Sequence, residues 1–300
     1  MSAVVAVGNF DGVHRGHRAL VARTVELAAA RGVPAVALTF DPHPSAVLRP
    51  DAAPGLLQAL EERVAALRAA GCDDVVVRPF DAALAALTPE AFVADVLVGE
   101  LGAVAVVVGA NFRFGRGAVG DVAVLRRLAD AADVEVAAVP LVSGGDAPVS
   151  STALRDLLAA GDVAAVGAAL ERPFALDGTV VHGEGRGRTL GIPTANVATD
   201  PARAHPGDGV YACRVTGSDA AGRDVAADAV VNVGHRPTFD GVGRTVEAHL
   251  LDVPAGLDLY GGRLRLAFLA RIRGEQRFDG PEALVARIRA DVAEARTILA

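Results

Sequence analysis

Val4-Val5-Ala6-Val7 runs directly into Gly8-Asn9-Phe10-Asp11-Gly12-Val13-His14-Arg15-Gly16-His17, and from there into an Ala/Leu/Arg-rich stretch ending at Arg31. The first four residues are apolar throughout, the pattern of a strand buried on both faces. His17–Arg31 has the spacing of a helix. Glycines at a strand-to-helix turn let backbone approach a ligand closely. The start of the helix offers unpaired N–H groups and a positive dipole end to phosphate. Two histidines separated by Arg-Gly can both face that anion pocket, where as donors they can stabilise charge building on a phosphate under attack. A pair of surface histidines in a turn is the plainer alternative, and the Gly-x-Phe-Asp-Gly run before them speaks against it.

Outward from this turn, Ala35–Phe40, Asp74–Arg78, Val104–Val108 and Val134–Pro140 read as strands, with Gln58–Ala70, Pro89–Glu100 and Val122–Ala132 as helices between them. Strands alternating with helices predict a parallel sheet covered on both faces, a Rossmann-like α/β domain. Ligands of such sheets sit at the carboxyl ends of the strands, where the polar motifs fall. Thr39-Phe40-Asp41-Pro42-His43-Pro44 follows the second strand, Gly109-Ala110-Asn111-Phe112-Arg113-Phe114-Gly115 follows a later one, and Ser150-Ser151-Thr152-Ala153-Leu154-Arg155 comes before a further helical piece. Taken singly, these are also compatible with a stiff turn, a β-turn and a helix cap.

The pattern changes around Leu158–Pro173, where two short helical pieces lead into a different half. Ala175–Val181, Gly209–Val215, Ala226–Val233, Thr245–Leu251 and Arg263–Ile272 read as strands joined by Gly/Pro/Asp turns, which predicts a mainly antiparallel β-barrel. In Pro281–Leu299 the residues Leu284, Ile288, Val292, Ala295 and Leu299 share one helical face, so a C-terminal helix should pack on the barrel. The expected domains are 1–171 and 172–300.

This second half carries its own polar motifs. Gly183-Glu184-Gly185-Arg186-Gly187-Arg188 is a basic loop able to wrap phosphates with backbone N–H groups. It is no dinucleotide fingerprint, because position 188 is arginine and no helix follows. In Thr189-Leu190-Gly191-Ile192-Pro193-Thr194-Ala195-Asn196, the Thr194 hydroxyl and Asn196 amide are hard oxygen ligands suited to Mg²⁺ carrying a nucleotide. In the strand Val246–Asp252, Glu247 and His249 face away from Val246, Ala248 and Leu250. A carboxylate so placed can accept a proton from an attacking hydroxyl, although the spacing alone favours a solvated strand residue.

Composition narrows the classes. A net charge of −7 argues against a general nucleic-acid binder, which would normally show a basic face. No apolar run reaches membrane-spanning length and no signal peptide precedes the first strand, so a cytoplasmic protein with no membrane partner is expected. Cys72 and Cys213 sit in no metal-binding or disulfide pattern. The sequence contains no lysine, so all 29 Lys+Arg residues are arginine. Walker-A and Schiff-base lysine chemistry are thereby excluded, and phosphates must be held by arginine, histidine, backbone N–H groups or metal.

The stretch GNFDGVHRGH resembles the HxGH signature of the nucleotidyltransferases, and in particular the adenylyltransferase half of the bifunctional riboflavin kinase/FMN adenylyltransferases, the prokaryotic FAD synthetases. The motifs TFDPHP, GxNFxFG and SSTxxR fall in the same order as in that family, and GxxLGxPTAN, Asn232–Phe239, ExHLLD and Phe268–Phe278 resemble its kinase half. The resemblance covers essentially the whole chain and implies two ATP-using steps, with riboflavin, FMN and FAD as substrates and products. It implies that His14, His17 and Arg155 face a triphosphate, with Gly8, Phe10, Gly12, Asn111, Ser151 and Thr152 helping to bind nucleotide. Ser151 and Thr152 would cap a helix whose Arg155 reaches the phosphates. Asp41 and His43 would serve FMN. In the kinase half it implies Glu247 as catalytic base, Gly183, Gly185 and Gly187 with Thr194 and Asn196 on the nucleotide and Mg²⁺, and Arg271 and Arg273 near the flavin. No obligate protein partner is implied, and a homo-oligomer is compatible with the sequence. A single-activity enzyme, a flavin sensor without turnover, and a transferase for another phosphate are the rival readings, which the complete motif sets in both halves disfavour.

Overall fold

The first strand, β1 (Ala3–Val7), is buried at every position. Its side chains alternate between the two faces of the sheet. Ala3, Val5 and Val7 pack with Phe92, Val96 and Leu125, while Val4 meets Leu27 and Ala28, and Ala6 meets Val21 and Leu67. The structure is a computed structural model that describes residues 2–144, 148–183, 187, 191–238, 241–254 and 256–300, the side chains of 236–238 and 241–243 excepted. It divides into two compact units, Met1–Ser151 and Thr152–Ala300.

In the first unit β1 is followed by α1 (Arg15–Arg31), β2 (Ala35–Asp41), α2 (Pro44–Leu48), α3 (Leu60–Ala69), β3 (Asp74–Pro79), α4 (Ala82–Ala85), α5 (Pro89–Ala91), β4 (Ala103–Gly109), α6 (Val122–Asp130) and β5 (Glu135–Val139). The strands form a parallel five-stranded sheet in the order β3-β2-β1-β4-β5. The expected Rossmann-like layer is thus present. Its strand order reverses at β1, which makes the end of β1 the topological switch point where such sheets bind ligands. The helix expected over Pro89–Glu100 differs in kind: after α5 it continues as a wider π-helix, Phe92–Glu100.

In the second unit α7 (Ser151–Ala160, whose first residue belongs to the first unit) and α8 (Val163–Leu170) precede β6 (Phe174–Val181), β7 (Ala195–Thr199), β8 (Gly209–Ser218), β9 (Asp224–Thr238), β10 (Gly241–Leu250) and β11 (Arg263–Arg273). These close into a barrel in the order β10-β7-β6-β11-β8-β9, with every pairing antiparallel. Strand β7 was not expected from the sequence. It pairs with β6 on one side and β10 on the other, and so completes the closure. Its five residues include a single bulky aliphatic, Val197, too little to signal a strand.

The C-terminal helix α9 (Pro281–Leu299) divides its apolar face between two tasks. Ala295 and Leu299 are buried against Val210, Ala212 and Val230 of the barrel. Leu284 and Ile288, on the same stripe, instead wall a cavity. Both cysteines are free and buried, and burial pushes the Cys72 thiol up to about 11.

The barrel interior is anchored by aromatic rings, with Phe268 fully buried 5.5 Å from the Tyr211 ring and 6.2 Å from Phe174. Phe268→Ala should therefore cost about 3–5 kcal/mol of barrel stability. Urea denaturation followed by tyrosine fluorescence reads this directly, because both tyrosines, Tyr211 and Tyr260, lie in the second unit.

Candidate active sites

The turn from β1 into α1 is held by two plugs. Phe10 and Val13 have positive φ values of 50° and 42°, a conformation costly for bulky and β-branched residues, and both side chains are fully buried. Asp11, also buried, accepts hydrogen bonds from the backbone N–H groups of Leu57 and Gln58 at 3.1 Å each. The turn therefore arrives at α1 with little freedom. His14 becomes the N-cap, its Nδ1 accepting from the His17 backbone N–H at 3.4 Å. The two imidazoles stack with centroids 3.7 Å apart. A Cβ at Gly16 would lie 3.1 Å from the His14 ring, so the glycine between the histidines is what lets that ring lie against the helix.

A cavity of about 190 Å³ opens here, lined by Gly8, Phe10, His14, His17, Asn111 and Ser151 among others. Six of the sequence-derived nucleotide and catalytic candidates thus meet at one place. Ser151 also donates from Oγ to the Asp11 carbonyl at 2.9 Å. Gly12, at φ 90°, shapes the turn but does not line the cavity. Asp41 ends β2 on the neighbouring strand, and His43 caps α2, with Nε2 3.3 Å from the Asn9 side-chain amide. Thr152 and Arg155 lie on α7 in the second unit.

Burial lowers His14 to about 4 against the partial opposition of Asp11. It drives His17 well below the ordinary value, helped by the charges of His14 and Arg63. Both rings are neutral at pH 7. Because His14 accepts at Nδ1, its proton sits on Nε2. The site offers a phosphate neutral N–H donors and a helix N-terminus.

The second site is a cavity of about 650 Å³ at the barrel, whose lining includes Gly187, Thr194, Asn196, Asn232, Glu247 and Arg273. Glu247 is half-buried, between buried Val246 and Ala248. Its register partners are Asn196 on β7 and Asn232 on β9, so three polar side-chain positions form one row across three strands. A Cβ at Gly183 would fall 2.1 Å from the Asn196 amide nitrogen, and one at Gly187 would fall 2.3 Å from the Ile192 carbonyl. Glycine lets the backbone at 183 lie against Asn196 and that at 187 against Ile192 and Thr194. Gly185 lies outside the described residues. His249 donates from Nδ1 to the Pro193 carbonyl at 2.8 Å and steadies the same segment.

Arg273 is gripped by the buried Asp291 of α9, with Nη2–Oδ2 at 2.8 Å and Nε–Oδ2 at 3.0 Å. Arg271 does not line this cavity; it donates to the Ala160 and Asp208 carbonyls. Among the described residues no cluster of three or more His, Cys, Asp or Glu side chains could hold a metal. Thr194 and Asn196 supply neutral oxygens only, a donor set that fits a Mg²⁺ ion brought in on nucleotide phosphates rather than a protein-made cage.

Sequence reasoning left Asp11, Asn232 and His249 without roles. It also passed over Arg63, which is 1% exposed in α3. The one available signal was its spacing, since Arg63 shares a helical stripe with Leu60 and Leu67.

Known proteins bear on both sites. Residues 1–153 match the FAD synthetase family, and residues 170–299 match the riboflavin kinase family. Proteins named bifunctional riboflavin kinase/FMN adenylyltransferase align along nearly the whole chain. The one from Pseudomonas fluorescens is 41% identical, covering 99% of this chain and 93% of its own. The one from Escherichia coli K12 is 39% identical over 98% and 91%, and the Bacillus subtilis protein 32% over 98% and 91%. A crystal structure described as a macrolide-efflux protein from Streptococcus pneumoniae matches with a TM-score of 0.88 at 31% identity, covering 98% of this chain and 94% of that one. No described helix of the present chain is long and apolar enough to cross a membrane.

The neutral histidines carry a pH signature. With His14 at about 4 in the fold against 6.5 ordinarily, the unfolded chain binds more protons between those values. Stability of the first unit should be full above pH 6.5 and fall as pH drops toward 4, with His17 extending the loss lower. Thermal melts followed by circular dichroism across this window should show the decline, and His14→Gln should flatten it. An unchanged slope in the variant would contradict the buried neutral state.

Proposed function

The chain belongs to the family of bifunctional riboflavin kinase/FMN adenylyltransferases, and from that premise we propose how its two sites divide the work. It phosphorylates riboflavin with ATP to give FMN, and adenylylates FMN with a second ATP to give FAD and pyrophosphate. We assign the second step to the His14/His17 cavity and the first to the barrel cavity. The boundary between modules is placed at 171/172, a division supported by family matches ending at 153 and resuming at 170. We infer a cytoplasmic location, where ATP is made available to both steps.

In the first cavity a phosphate oxygen of FMN attacks the α-phosphorus of ATP, and pyrophosphate leaves with the bonding pair. No covalent enzyme intermediate is needed; positioning and charge stabilisation suffice. His14 and His17 donate N–H groups to the phosphate under attack. Gly8, Phe10, Gly12, Asn111 and Ser151 shape the nucleotide side, and Asp41 and His43 the flavin side. Thr152 and Arg155 are assigned to the triphosphate on their motif alone.

In the barrel, Glu247 accepts the proton of the ribityl 5′-hydroxyl as that oxygen attacks the γ-phosphorus of ATP, with ADP leaving. Thr194 and Asn196 would hold Mg²⁺, which neutralises charge on the β- and γ-phosphates. Gly183 and Gly187 are assigned to the nucleotide, with Gly185 on its motif alone, and Arg273 walls the flavin side. The observation that carries this assignment is the row Asn196–Glu247–Asn232, which sets one carboxylate between two amides in the wall of a cavity large enough for a flavin.

Glu247→Gln keeps size and most hydrogen bonding while removing the proton acceptor. Riboflavin phosphorylation should fall about 10² to 10⁴-fold, while adenylylation of supplied FMN is unaffected; kinase turnover within a few-fold of wild type would return Glu247 to a solvated strand role. His17→Ala should do the reverse. FMN then accumulates from riboflavin, and chromatography of the products shows little FAD. FAD formed at the wild-type rate would move adenylyl transfer away from this cavity.

A further inference from the structure

Beneath the histidine pair lies a charge that the mechanism above does not use. The guanidinium of Arg63 is 1% exposed. Nη1 donates to the Asn9 carbonyl at 2.8 Å and lies 3.5 Å from the Thr39 hydroxyl. Nη2 is 3.6 Å from Asp41 Oδ1, yet neither Nη2 nor Nε makes a hydrogen bond. Leaving buried donors unsatisfied is destabilising, and a core aliphatic would pack at this helix position without that cost. The cation is placed where three elements meet. Asn9 begins the β1–α1 turn and its side chain reaches His43, Asp41 ends β2, and the field of Arg63 acts on His17.

We propose that Arg63 is a positioning residue for adenylyl transfer, a buried cation that locks the Asn9 carbonyl and Asp41 at adjacent strand ends and sends a permanent positive field to the histidine pair. The inference rests on the assignment of adenylyl transfer to the His14/His17 cavity. Its chemical sense is charge balance. Two anions, the FMN phosphate and the ATP triphosphate, must approach within bonding distance, and two neutral imidazoles supply dipoles but no net charge. Arginine keeps its proton even when buried. The ionisable groups acting on His17 are His14 from its own turn and Arg63 from α3; Asp11 acts on His14 and Arg63, and Asp41 on Arg63. Removing the Arg63 charge therefore makes His17 easier to protonate.

The test compares Arg63→Met and Arg63→Lys in the full chain, with circular-dichroism melting as the control for folding of the first unit and riboflavin phosphorylation as the control for the barrel site. Arg63→Met should lower kcat/KM for FMN in adenylylation about 100-fold, the scale of losing one electrostatic stabiliser, and move the acid limb of its pH profile upward. Arg63→Lys keeps the charge, so the acid limb stays put. One ammonium does not reproduce the forked contact, so KM for FMN should rise about tenfold with kcat less affected. Arg63→Met parameters within twofold of wild type, or activity lost with an unmoved acid limb that Arg63→Lys does not rescue, would overturn the proposal. Should Arg63→Met fail to fold, an unchanged KM for FMN in Arg63→Lys overturns it alone. His17→Ala run alongside separates the two failures: if it retains FAD synthesis the site assignment falls, and if it is inactive while the Arg63 variants are normal, only the role of Arg63 falls.

Discussion

Burial of Phe10 and Val13 at positive φ is the constraint on which the first site depends. A β-branched residue in that conformation is strained, and the turn persists because both side chains fill the core between α1, α3 and the sheet while Asp11 ties the same turn to the segment before α3. Strain held in place by packing is a familiar property of sites that need fixed geometry. Its product here is a direction: the backbone leaves β1 at the switch point of the sheet and enters α1 with His14 already capping the helix. The low dielectric that secures the turn also keeps both imidazoles uncharged, so packing and charge state have one origin.

The barrel reaches fixed geometry by another route. Its site is built on strands whose register places Asn196, Glu247 and Asn232 opposite one another, and a ladder fixes register because a slip of one residue would turn every side chain to the other face. Buried Val246, Ala248 and Leu250 hold β10 against such a slip. The Pro193–Thr194 segment lies outside the strands, and there His249 supplies the tie. The strands thus present Glu247, the base of the proposed kinase step, from a fixed ladder.

Much of this was legible in the sequence because it is periodic or local. Strand–helix alternation foretold the parallel sheet, and the alternation around Glu247 foretold which face it occupies. The HxGH turn was readable since its glycines, its cap and its histidines are near neighbours in the chain. What stayed hidden depends on long-range register or on burial of a polar group. Strand β7 has too few bulky residues to announce itself, and only its pairing with β6 and β10 makes it part of a closed barrel. Asn232 becomes a neighbour of Glu247 only through the β9–β10 ladder. Arg63, preceded by two glutamates, reads as a solvated helix face, and nothing local says that it turns inward to the Asn9 carbonyl and Asp41.

Helix α9 has a double allegiance. Its first turns face the cavity through Leu284 and Ile288, and its last turns sit in the barrel core through Ala295 and Leu299, with Asp291 at the join gripping Arg273. Under the proposed assignment of the flavin to this cavity, the helix separates two design problems along a single element. Side-chain volume can be exchanged at the first positions to admit a bulkier or smaller ring system, while the folding of the barrel is underwritten a few turns away. The same partition lets natural drift explore ligand shape at one end without sampling unfolded proteins at the other.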